Sequence, residues 1–96
     1  MSMHFFVRFE PLPGKEEAFR AAMLANLAPT RAEAGCLSIR MFESIREPRM
    51  FAISSEWVDE AAFELHAQLP HTVRFLKTAE PLLPHPVLGL RVREIS

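Results

Sequence analysis

The order in which two hydrophobic periods alternate along the chain constrains the fold most. A period of two runs through Met3 to Glu10, where Phe5, Val7 and Phe9 alternate with Phe6, Arg8 and Glu10, and this reads as a strand. Pro11, Leu12, Pro13 and Gly14 stop it, because two prolines deny the ladder its donors. A helical period follows over Lys15 to Leu27, with Phe19, Ala22, Met23 and Leu27 on one face. Pro29 should kink or restart that helix, and Thr30 to Ala34 adds about one turn before Gly35 ends it.

Two strands come next, Cys36 to Glu43 and Arg49 to Trp57, joined by the turn Ser44 to Pro48. Leu37, Ile39 and Met41 fall on one face of the first. Phe51, Ile53 and Trp57 share a face of the second, with Met50 and Ala52 on the other. Asp59 is a good N-cap for a helix over Glu60 to Leu69, without a capping box because Ala62 stands at the third following position. Pro70 interrupts, and His71 to Ala79 continues as a separate helical piece. Pro81, Pro84 and Pro86 enforce an irregular connection before a last strand over Val87 to Glu94.

The order strand, helix, strand, strand, helix, strand predicts an α+β fold. It is the ferredoxin-like βαββαβ sandwich, a four-stranded antiparallel sheet with its helices on one face. At 96 residues the chain supports a single domain over 1–96 with a modest core. Both strand faces carry apolar residues, yet the helices cover only one. The economical inference is a homodimer joined sheet to sheet.

Composition excludes several classes of partner. Net charge is −1, so neither nucleic acid nor an anionic membrane surface is expected as a partner. Arg40, Arg46 and Arg49 sit around a turn and read as a solvated rim. The single Cys36 excludes an internal disulfide and a cysteine-based zinc cluster. It fits a reducing compartment and reads as a buried, inert thiol. No apolar run resembles a signal peptide or a membrane span, so the expected location is cytoplasmic.

Function is sought in Glu56 to His71, where one Trp closes a strand and two His residues flank the end of the following helix. Trp57 can stack on a flat aromatic substrate with its indole N–H free to donate, or it can be a core residue at a strand end. His66 can act as a general base or as a hydrogen-bonded structural histidine. His71, after Pro70, is either a pocket residue or a surface cap. His66 and His71 are five apart with Pro70 between them, so no metal site is expected. The eight Phe residues build a core or line an apolar cavity. Glu56, on the strand face opposite Trp57, points toward the expected dimer side.

Pro13-Gly14-Lys15-Glu16, Thr30 through Cys36, Glu56-Trp57 with Ala61-Ala62-Phe63, and His66-Ala67-Gln68-Leu69-Pro70-His71 with Phe75 run through nearly the whole chain. In these pieces the chain resembles the antibiotic biosynthesis monooxygenase domains of the dimeric α/β-barrel superfamily, and among them the small quinol monooxygenases. The Trp-to-His-to-Pro-His segment is the specific part. The resemblance implies a dimer whose two sheets form a barrel, with one pocket per subunit between sheet and helices. It also implies oxidation of a quinol or other small aromatic with O₂ and no metal, flavin or haem.

Within that resemblance the expected catalytic residues are His66 and Trp57, and the expected substrate-binding residues are His71, Phe63, Phe75 and Ile53. In the cofactor-free polyketide oxygenases an Asn precedes the matching Trp by four residues and a Tyr follows it by six. Ile53 and Phe63 stand there instead. The haem-degrading relatives need a histidine ligand where Val73-Arg74-Phe75-Leu76 stands, so no haem is expected. The alternative to an oxygenase is a non-catalytic small-molecule-binding or stress-related dimer of the same fold.

Overall fold

A computed structural model describes residues 2–96. Strand β1 (Met3–Phe9) is followed by helices α1 (Glu16–Ala25) and α2 (Leu27–Arg31), then by strands β2 (Cys36–Glu43) and β3 (Phe51–Trp57). Helices α3 (Glu60–Gln68) and α4 (Pro70–Ala79), a 3₁₀ turn over Glu80–Leu82 and strand β4 (Gly89–Val92) complete the order. The sheet runs β2-β3-β1-β4 with every neighbouring pair antiparallel. This is the expected α+β sandwich.

Register explains the inner face. Val7 lies opposite Ile53 and Phe9 opposite Phe51, and all four are buried. Phe19 and Met23 of α1 and Phe75 and Ala79 of α4 pack on them, together with Ile39 of β2. A second, smaller cluster holds Met3, Trp57 and Phe63. The core is therefore divided, and the division matters for the site.

Five details differ from the sequence reading. Leu37 was expected on the face of Ile39 and Met41, but a bulge between Cys36 and Ser38 turns it outward and brings Cys36 against the core. Pro29 does not break a helix; the break falls at Asn26, and Pro29 sits in the first turn of α2, where its missing N–H costs nothing. Pro70 likewise opens α4 rather than standing outside it. Strand β4 is shorter than Val87 to Glu94. Its Val92 pairs with His4, near the first residue of β1, so little of β1 remains to pair with Arg93. Arg49 is less free than a solvated rim, since it bridges Glu17 and Glu43.

The outer face carries no helix. Phe6, Phe42 and Leu90 are each at least 44% exposed there, around a shallow hollow of about 720 Å³ that also touches Ala52 and Met50. This hollow is larger than the cavity described below, but among the described residues its lining Arg8, Glu10 and His85 form no hydrogen-bonded cluster. Among the described residues, no helix is long and apolar enough to cross a membrane.

Candidate active site

The site begins where β3 ends. Trp57 is the last residue of that strand and is almost completely buried. Two residues later the Asp59 carboxylate accepts the Ala62 N–H at 2.8 Å, so α3 starts at once. The short connection lays the first turns of α3 beside the indole. Phe63 and His66, three residues apart, share the face that meets the sheet. The Phe63 ring meets Trp57 edge-on at 5.7 Å, and the His66 ring lies 4.5 Å from the indole, tilted by 38°.

The indole N–H is not free. It donates to Ser55 Oγ at 3.0 Å, a bond internal to β3. Trp57 thus offers the site a fixed aromatic wall and no hydrogen-bond donor, a correction to the sequence reading.

His66 is held by a residue that sequence reasoning passed over. Its Nδ1 lies 2.7 Å from Glu33 Oε2, and His71 Nε2 lies 2.7 Å from the same oxygen. An ionised carboxylate only accepts, so both ring nitrogens carry the hydrogens. In the neutral ring the other nitrogen of His66, Nε2, then keeps its lone pair. Thr72 Oγ1 stands 3.2 Å from His66 Nδ1 and adds a polar neighbour on that side. All three members of the chain are mostly buried, and among the described residues no lysine or arginine pairs with Glu33.

The backbone explains how Glu33 gets there. Its N–H donates to Thr30 C=O and its C=O accepts from the Cys36 N–H, both at 3.1 Å, which closes the α2–β2 connection into a tight loop. Gly35 lets that loop touch α3, since a Cβ there would stand 2.5 Å from Ala62 Cβ. The Glu33 charge is also felt by Cys36. Burial first, and that charge second, push its thiol pKa up, so Cys36 is a poor nucleophile.

Two imidazoles and a carboxylate are also donors that a divalent transition metal accepts, and their atoms lie within 4.8 Å of one another. The proline between the histidines does not keep them apart, as the spacing argument assumed; they meet through Glu33. The two 2.7 Å contacts are those of hydrogen bonds, whereas ligands on metal bonds of about 2.0–2.2 Å stand roughly 3 Å or more apart.

Beside this chain a cavity of about 250 Å³ separates sheet from helices. Its walls come from both core clusters. Ile53, Trp57, Phe63 and Phe75 line it, as does His66. These are the expected site residues, with one exception: His71 borders a separate hollow of about 110 Å³ and touches the cavity's chemistry only through Glu33. Ser55, Thr72, Asn26 and Glu80 add polar groups that the sequence reading did not single out. Apolar walls with a few convergent polar groups are the usual makeup of a small-molecule site. The volume exceeds the roughly 150 Å³ that admits benzene and falls below the roughly 300 Å³ typical of drug-sized ligands. One or two fused rings fit.

At one edge Arg91 of β4 lies 5.0 Å from the Phe63 ring and pairs with Glu60 and Glu64 of α3. Gly89 leaves room there for Phe5, whose ring a Cβ would strike at 2.1 Å.

The protein is thus a small α+β domain, a split-βαβ sandwich with an apolar cavity between sheet and helices. The chain belongs to the antibiotic biosynthesis monooxygenase family, whose model matches residues 3–78. It is 31% identical over 75 residues to YcnE of Bacillus subtilis, which carries a provisional monooxygenase name; the match covers 78% of this chain and 79% of that protein. It is 32% identical over 74 residues to the uncharacterized protein sll1783 of Synechocystis, covering 77% of this chain but only half of that longer protein. Among solved structures, Rv0793 from Mycobacterium tuberculosis superposes with a TM-score of 0.92 at 27% identity, over 100% of this chain and 97% of that one.

Proposed function

We propose that this protein is a cofactor-independent monooxygenase acting on a quinol or another small aromatic with O₂. The observation that carries the proposal is His66, held at Nδ1 by Glu33 and bordering an apolar cavity beside Trp57. In the proposed reaction His66 Nε2 takes a hydroxyl proton from the substrate, and the Glu33 carboxylate stabilises the imidazolium that forms. The electron-rich anion passes an electron to O₂, and the radical pair recombines at ring carbon. One oxygen atom ends on the ring and the other leaves as water, so a hydroquinone and O₂ give a hydroxyquinone and water. The protein supplies the base, a wall that excludes water and a fixed ring orientation.

The outer sheet face supports a homodimer as the working unit. Phe6, Phe42 and Leu90 form the kind of exposed apolar surface that a second copy covers.

A second reading, a non-catalytic small-molecule-binding or stress-related dimer, draws on Ile53 and Phe63. Both line the cavity with carbon where the polyketide oxygenases place polar groups. An oxygen electrode separates the two readings. Chelator-treated protein should consume O₂ with a hydroquinone, and His66→Ala should lower turnover by roughly 10²-fold or more. Full activity in His66→Ala rejects the base. No uptake with any of a panel of quinols leaves the binding reading.

A further inference from the structure

Asn26 stands in the wall of the cavity with an unanswered polar group. It occupies the break between α1 and α2 and is only 6% exposed. Its carboxamide Oδ1 is buried with no hydrogen-bond partner. The side chain caps neither helix; the backbone alone makes the capping bonds at the junction. Buried polar groups are nearly always satisfied, and an exception marks local strain, an ordered water or a functional group. Thr30, one turn later, also has an unpartnered hydroxyl but does not line the cavity. Asn26 does, in a lining that also holds Phe9, Phe75 and Leu76, and it borders the smaller hollow of His71 as well.

We infer that Asn26 is a second polar anchor of the substrate site, separate from the Glu33–His66–His71 chain, and that it selects rings carrying two oxygen substituents over monophenols. The inference rests on the proposed reading of the cavity and deepens it. One substituent meets His66 Nε2. The other meets the Asn26 carboxamide, which accepts from a hydroxyl through its oxygen and, turned about its last torsion, donates to an oxo group through its nitrogen. A site built to bond a hydroxyl discriminates against the analogue lacking it, because the protein's own group is then left buried and unpaired. An apolar side chain at this position would fill the wall and read nothing.

Calorimetric titration under nitrogen tests this without turnover, with phenol, catechol, resorcinol and hydroquinone as probes. The parent protein should bind at least one dihydroxybenzene about tenfold or more tighter than phenol, and the preferred isomer reports the spacing of the two anchors. Asn26→Leu should bring that ratio to within about twofold. Asn26→Ser, smaller than the native residue, serves if the leucine variant does not fold. Equal affinity of the parent for phenol and all three dihydroxybenzenes overturns the second anchor. An unchanged preference in the folded variant overturns the role of Asn26 and leaves the proposed function standing. Binding of no ring compound at all removes both.

Discussion

Glu33→Gln is the substitution that most directly loads the hydrogen-bond chain. The native carboxylate accepts two N–H groups on one oxygen at 2.7 Å each. A carboxamide turned with its carbonyl oxygen in that place still accepts both N–H groups through its two lone pairs, but it carries no charge. Hydrogen bonds to a charged group contribute about 1.5–3 kcal/mol each. Replacing both by neutral hydrogen bonds of about 0.5–1.5 kcal/mol each should cost about 2–3 kcal/mol. A chain of 96 residues has roughly 5–14 kcal/mol to lose, so the variant still folds. At about 4–8 °C per kcal/mol its melting temperature should fall by roughly 10–25 °C. The His66 Nδ1–H then faces a neutral acceptor that stabilises the imidazolium less, and turnover should fall by about tenfold or more with little change in substrate affinity. Thermal melts, steady-state kinetics and ¹⁵N imidazole spectra measure the three effects. A melt within about two degrees of the parent, with turnover unchanged, would refute the reasoning.

Phe42→Asp, on the bare sheet face, should convert a dimer into a species near the 10.9 kDa protomer by light scattering, with the core intact. A parent already at protomer mass at micromolar concentration would contradict the dimer. Gly35→Ala should cost about 1–3 kcal/mol, because the new methyl meets Ala62 Cβ at 2.5 Å and neither carbon can swing aside. Its turnover should fall further than its stability alone explains, since Glu33 lies two residues away. Cys36 titrates above its ordinary value in the fold, so iodoacetamide should label native protein more slowly than unfolded protein at pH 8–9. By linkage, a raised thiol pKa means that stability falls as pH rises past the unfolded thiol's value; equal labelling rates would dispose of the shift.

The elements were legible wherever a period ran long. Cys36 to Glu43 alternates cleanly and is a strand over those residues. The faces of β3 follow Phe51, Ile53 and Trp57 as expected. Boundaries failed where local chemistry overrode the period. The bulge at Cys36 depends on how β3 pairs with it, and Pro29 and Pro70 turned out to occupy helix-starting turns. In the site, the aromatic walls were readable because one capped helix follows one Trp. Glu33 was not, because its partner His66 lies 33 residues away in sequence and its motif reads as punctuation before a strand. A carboxylate there without a basic neighbour at helical spacing was the available signal. Asn26 carried none, since a polar residue between two helical segments looks like any loop.

The central claim is that a ring binds between sheet and helices with a hydroxyl on His66. A crystal structure of the protein soaked anaerobically with 1,4-dihydroxynaphthalene measures it directly. The ring should lie in the cavity beside Trp57 and Phe63, with one hydroxyl oxygen within about 2.6–3.2 Å of His66 Nε2. A ring seated only on the outer sheet face, or a cavity ligand with no oxygen near His66, would contradict the account.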